Sequence, residues 1–270
     1  MITLLRVVKA ALRLGFTLEE VSELLETGRG SHIIASFDFK VVAVLQCGQP
    51  YHDPYARPVI KTFVFDVGET IVCDDRYWAA WAEWLDVPRH TLSALVGAVV
   101  ARGHDNADAV RLLRPDIDMD AESAAREATG RGEYLDETDL YPDVRPALTM
   151  LRDAGHRIVI AGNQTSRAAD LLRALDLPAD AIATSGEWGV AKPAPTFFAH
   201  VIELADAEPR QVVYVGDNPA DDVVPAKAAG LLVAHIRRGP WGHLWADHPI
   251  AARADWRITT LMELTTIATR

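Results

Sequence analysis

The chain is short of positive charge. Its 270 residues carry a formal net charge of −11, and only five are lysine: Lys9, Lys40, Lys61, Lys192 and Lys227. Sequence-independent nucleic-acid binding needs a basic footprint, so no nucleic-acid partner is expected. Cysteine is scarcer still. Cys47 and Cys73 form neither a disulfide framework nor a metal-ligand spacing, which points to a reducing, cytoplasmic setting. No apolar run has the length of a bilayer span. Arg6, Lys9 and Arg13 interrupt any signal-peptide core, so no membrane location is expected either.

Apolar material for a core is ample, at 49% hydrophobic residues. The most informative stretch is Lys61 to Val72, KTFVFDVGETIV. Its β-branched and aromatic run stops at Asp66, with Gly68 two residues on. Such a run reads as a buried parallel strand that delivers a carboxylate to the C-terminal edge of the sheet. Ligands of open α/β sheets bind beyond that edge. There a carboxylate serves as nucleophile or metal ligand; taken alone, the stretch is equally compatible with a turn-capping Asp66.

Three later stretches add to it. RIVIAGNQT, Arg157 to Thr165, is a second apolar run ending in small and amide residues. GVAKPAPT, Gly189 to Thr196, sets Lys192 between a glycine and prolines. QVVYVGDNPADDV, Gln211 to Val223, is a third apolar run, ending in Gly216 and Asp217 with Asp221 and Asp222 one turn later. Each is weak alone. The four in this order resemble the haloacid dehalogenase superfamily of hydrolases, over roughly Val59 to Arg270. The resemblance implies Asp66 as the nucleophile that forms an aspartyl-phosphate. It implies a Mg²⁺ site from Asp66, the Gly68 carbonyl, Asp217 and Asp222, with Asp221 as the alternative to Asp222. Gly162, Asn163 and Lys192 fall where the family binds the transferring phosphoryl group. A small phosphomonoester is the expected substrate; the oligomeric state stays open.

Two positions depart from the family pattern. Gly68 stands where phosphatases of the superfamily carry a second aspartate, the general acid and base, a role worth roughly two to four orders of magnitude in rate. Glu69 should face away on an extended strand, leaving Asp74 and Asp75 as substitutes. Gly162 stands where a serine or threonine donates to phosphate; Thr165 or backbone N–H groups are the substitutes there. These departures support an alternative: a catalytically weak or inactive binding protein on the same fold. A carbon–halogen hydrolase is a further alternative, disfavoured by the retained acids, since that chemistry needs no metal. Phosphonate cleavage through a cap lysine is disfavoured because no lysine lies between Val67 and Ala191.

The periodicities assemble into an α/β fold: a doubly wound parallel sheet with an inserted all-helical cap and a small helical N-terminal extension. Strands are expected at 158–161, 181–184, 212–215, 232–236 and 256–258, alternating with helices. Residues 74–143 show helical spacing only, where the superfamily places its mobile cap; Trp78, Trp81 and Trp84, with Arg76, His90 and His104, are candidates to face a substrate. The expected division is 1–60 as extension and linker, 61–73 and 144–270 as core, and 74–143 as cap. Arg237 to Ala254 reads as a long surface connection. Leu4 to Gly28 pairs two helices, the second opened by a Thr17/Glu20 capping box. It is similar to the second half of a mercury-resistance-type (MerR-type) regulator's winged-helix domain, without the recognition helix.

Overall fold

The computed structural model describes residues 59–268. The expected N-terminal helix pair and all but the last two residues of the expected extension and linker lie outside the described residues.

Six strands form one parallel sheet in the order β3-β2-β1-β4-β5-β6. They are β1 (Thr62–Phe65), β2 (Arg157–Gly162), β3 (Ala181–Thr184), β4 (Val212–Gly216), β5 (Leu232–Ile236) and β6 (Trp256–Ile258). All four residues of β1 are buried, as a central parallel strand covered on both faces requires. Alternate side chains serve opposite layers. Phe63, Phe65, Ile158, Ile160, Val213 and Val215 enter one core cluster. Val64, Val159, Ala161 and Tyr214 enter the other, with Phe197 and Phe198. Each such aromatic or aliphatic side chain contributes about 1.5–3 kcal/mol by leaving water.

Between β1 and β2 the chain leaves the sheet. Helices α1 (Asp75–Leu85), α2 (Arg89–Val100), α3 (Asp108–Leu113) and α4 (Met119–Ala128) bury a cluster of their own, with Trp81, Leu85, Leu92, Val96, Val99 and Val110. Helix α5 (Val144–Asp153) returns to the sheet. Its buried Val144, Ala147, Leu148 and Leu151 follow the i, i+3, i+4, i+7 pattern of a one-sided helix. Next come α6 (Ser166–Ala174), α7 (Ser185–Trp188), α8 (Pro195–Ala205), a π-turn at Pro219–Val223 that runs into α9 (Val224–Ala228), α10 (Gly239–Leu244) and α11 (Glu263–Ala268). Among the described residues no helix is long and apolar enough to cross a membrane.

Arg237 to Ala254 is not the open surface connection its Gly, Pro and His content suggests. It holds α10, and Trp241 is buried in the cluster of α1 and α2, with Trp245 packed against it. Trp241 Nε1 donates to Asn106 Oδ1 at 3.0 Å, and Trp245 Nε1 donates to the Val100 carbonyl at 2.8 Å. A six-residue helix has no period to read, and its partners lie far upstream in sequence.

Candidate active site

The strand order reverses direction between β1 and β4, the crevice where open α/β sheets bind ligands. Asp66 leaves β1 there, its backbone N–H donating to the Val215 carbonyl at 2.9 Å. Asp217 follows β4 directly, and the π-turn brings Asp222 back beneath it. One oxygen of each of Asp66, Asp217 and Asp222 lies within 4.8 Å of the others, and all three residues are buried. Lys192 supplies the ammonium among them: Nζ is 2.7 Å from Asp66 Oδ1 and 2.6 Å from Asp222 Oδ1.

The electrostatics follow from burial. It raises the Asp66 carboxyl to about 6, against the pull of Lys192 and with a push from Asp222. Burial, then Asp222 and Asp66, hold Asp217 well above the usual carboxylate range. Burial opposes the charge on Lys192, but Asp222 and Asp66 outweigh it and hold the ammonium well above its ordinary range. One ammonium therefore faces three buried carboxylates. A hard divalent cation bound by oxygen ligands fits that imbalance. Asp222 is the acid in this group; Asp221 lines the cavity wall instead and accepts from Asn218 Nδ2 at 3.0 Å.

The loop after β1 holds the unexpected part. Glu69 is not on an extended strand. The strand ends at Phe65, and Glu69 has a left-handed φ of 53°, which turns its side chain into the cavity wall. Its carboxylate accepts from the Tyr141 hydroxyl and from the Asp74 backbone N–H at 3.3 Å. That contact draws Asp74 over Gly68: a Cβ on Gly68 would lie 3.3 Å from Asp74 Oδ2. The Asp74 carboxyl thus reaches the space an aspartate at position 68 would fill. Burial, with Glu69 and Asp66 nearby, holds it well above its ordinary range. Asp75 does not line the cavity.

Gly162 has a steric explanation. A Cβ there would come within 2.4 Å of Asp66 Oδ1, so the missing side chain is what lets Asp66 lean toward Lys192. Asn163 lines the cavity, but its amide brackets Lys192: Oδ1 accepts from the Lys192 N–H at 2.8 Å and Nδ2 donates to its carbonyl at 3.1 Å. Thr165 is turned away, capping α6 through the Ala168 N–H at 3.0 Å and donating to Glu133.

The cavity above these residues measures about 240 Å³. Of the tryptophan stripe, only Trp78 reaches it; Trp81 is 1% exposed in the helical cluster, and Trp84 Nε1 donates to Glu122 at 2.6 Å. Arg76 is occupied by Asp136 at 2.7 Å and by Asp139. His104 lies 3.5 Å from Asp108, and neither it nor His90 lines the cavity. Tyr77, Asp105, Asn106, Gln164, Asn218 and Trp241 do. Gln164 and Asn218 fall within the second and fourth of the quoted stretches, beside Asn163 and Asp217; the sequence holds no signal for the other four, which chain folding alone gathers.

A sequence model of the haloacid dehalogenase-like hydrolase family matches residues 60–230. A glyceraldehyde 3-phosphate phosphatase of Methanopyrus kandleri is 34% identical over 104 residues, 37% of this chain and 45% of that protein. A phosphoglycolate phosphatase of Neisseria meningitidis is 29% identical over 165 residues, 57% of this chain and 69% of that one. The match thus spans less than half of the first relative and about two thirds of the second. A haloacid dehalogenase-like hydrolase structure from Bacteroides fragilis superposes with a TM-score of 0.57 at 23% identity, over 76% of this chain and 99% of its own, a likeness of fold.

Proposed function

The chain belongs to the haloacid dehalogenase-like hydrolases, and from that premise we propose that it is a Mg²⁺-dependent phosphatase of small phosphomonoesters. The observation that carries the reading is Asp66 at the end of β1, with Lys192 and two further buried acids on one side and Asp74 above Gly68 on the other. Phosphatase relatives of unlike substrate, as in the two matches above, support the reaction class without choosing a substrate.

In this reading the Asp66 carboxylate attacks the phosphorus, and the bond from phosphorus to the leaving oxygen breaks. The departing oxygen takes a proton from Asp74, which the Glu69 contact holds in reach, and leaves as a neutral alcohol. A water then attacks the phosphorus of the aspartyl-phosphate, giving its proton to the Asp74 carboxylate; inorganic phosphate leaves and Asp66 is regenerated. Lys192, bracketed by Asn163, keeps its ammonium against the oxygens that carry the growing charge. Asp66, Asp217, Asp222 and the Gly68 carbonyl are the groups that would hold Mg²⁺, which when bound offsets the repulsion between anionic nucleophile and anionic ester. The division into core and helical cap, 74–143, belongs to the same proposal, with the cap forming the roof of the cavity.

Turnover of p-nitrophenyl phosphate tests the reading. We expect hydrolysis with Mg²⁺ that disappears on chelation and in Asp66→Asn. Absence of turnover from folded, Mg²⁺-loaded protein contradicts it, and turnover of this ester that survives chelation contradicts the metal requirement.

A further inference from the structure

We infer that the site selects phosphomonoesters whose leaving alcohol is neutral or cationic, and rejects those whose alcohol carries a carboxylate or a second phosphate. This inference deepens the phosphatase reading and rests on it.

The argument is the charge of the cavity wall away from Asp66. Among the described residues lining the cavity, Lys192 is the only lysine or arginine. It is already engaged by Asp66 at 2.7 Å and Asp222 at 2.6 Å, so it serves the phosphoryl end. The wall that would surround the leaving group carries Asp105, Asp221 and Glu69 as acids, and Asn106, Gln164 and Asn218 as neutral polar groups.

Two arginines of the helical insertion, Arg76 and Arg126, do not supply the missing cation. The Arg76 guanidinium is held by Asp136 and Asp139. That of Arg126 lies over the Trp81 ring, 4.3 Å from its centroid, and does not line the cavity. A carboxylate on the leaving alcohol would therefore sit against acids with no counter-charge. Like charges brought together in a partly desolvated site are strongly disfavoured. Hydroxyl groups, by contrast, can donate to Asp105 and Asp221 and accept from the amides of Asn106 and Gln164. Trp78 and Trp241 in the cavity lining offer apolar contact to a carbon chain.

The test uses a pair of esters nearly equal in size, glycerol 3-phosphate and 3-phosphoglycerate, which differ by a hydroxymethyl group against a carboxylate. O-phosphoethanolamine is the cationic arm. With the full-length Mg²⁺-loaded protein, kcat/KM for glycerol 3-phosphate should exceed that for 3-phosphoglycerate by at least about tenfold. O-phosphoethanolamine should also exceed 3-phosphoglycerate. In Asp105→Lys the first ratio should fall toward one or invert. Comparable kcat/KM values for the first two esters, or a preference for 3-phosphoglycerate, overturn the inference while leaving the phosphatase reading intact. Failure to hydrolyse any ester, p-nitrophenyl phosphate included, overturns both.

Discussion

At the scale of single residues, the proposed phosphatase reading must account for glycine where its acid is expected. In that reading Asp74 supplies the acid, its carboxylate lying over Gly68 from the far side of a tight loop. The assignment predicts a dependence on the leaving group. Asp74→Asn should lower kcat for alkyl phosphates by roughly two to four orders of magnitude, the usual worth of a general acid. For p-nitrophenyl phosphate, whose leaving group needs little protonation, the loss should be much smaller. Adding Gly68→Asp to Asp74→Asn should recover part of the alkyl activity. Steady-state kinetics on the two ester classes checks this, and equal losses on both would argue for a purely structural Asp74. Asp66, Lys192, Asp217 and Asp222, which the structure gathers, were marked in the sequence by signals that are weak singly and informative in order: a strand end, a proline-bounded loop, and a glycine–aspartate turn that left Asp221 open beside Asp222. Asp74 was legible only as one of two candidates. What singles it out is the left-handed Glu69, and an extended-strand reading of that residue points its side chain the wrong way.

At the scale of elements, an ion pair between buried Arg238 and partly buried Asp143 joins four segments. Asp143, before α5, accepts from Arg238, from Thr260 Oγ1 at 2.6 Å and from the Leu261 N–H at 2.8 Å. Arg238 also donates to the Thr70 carbonyl at 2.6 Å and stacks on Tyr141, 4.2 Å from its ring centroid. Tyr141 in turn bonds Glu69, so the β1 loop that carries the site is braced from the loops that follow β5 and β6. Burial alone would raise the Asp143 carboxyl, but Arg238, Thr260 and the Leu261 N–H outweigh it and hold it below its ordinary range. A depressed carboxyl contributes stability that is present above the unfolded value of about 3.9 and is lost as pH falls through the folded one. Asp143→Asn should cost roughly 2–3 kcal/mol at pH 7, and its difference from wild type should shrink below about pH 4. Urea unfolding of both proteins across that range checks the prediction; a difference constant down to pH 2 would contradict it. The strands were readable here from their apolar runs, within a residue at their ends, and the insertion only as helical spacing without bounds. The α10 segment was not, because its two tryptophans bond to residues 135 and 145 positions upstream.

At the scale of the molecule, a parallel sheet brings the ends of β1 and β4 together, and a helical insertion roofs them. The chain is acidic overall and acidic in its site, with one buried lysine among the carboxylates. In the proposed reading that arrangement would handle a phosphate only with added positive charge, and Asp66 would be the group through which every step passes. The most direct measurement is an acid quench during turnover with Mg²⁺, followed by borohydride reduction and mass spectrometry of the peptide that spans Asp66. The account predicts an acyl phosphate on Asp66, seen as reduction of that side chain to the alcohol, and none in Asp66→Asn. Steady turnover by Asp66→Asn at the wild-type rate, or an acyl phosphate on another residue, would contradict it.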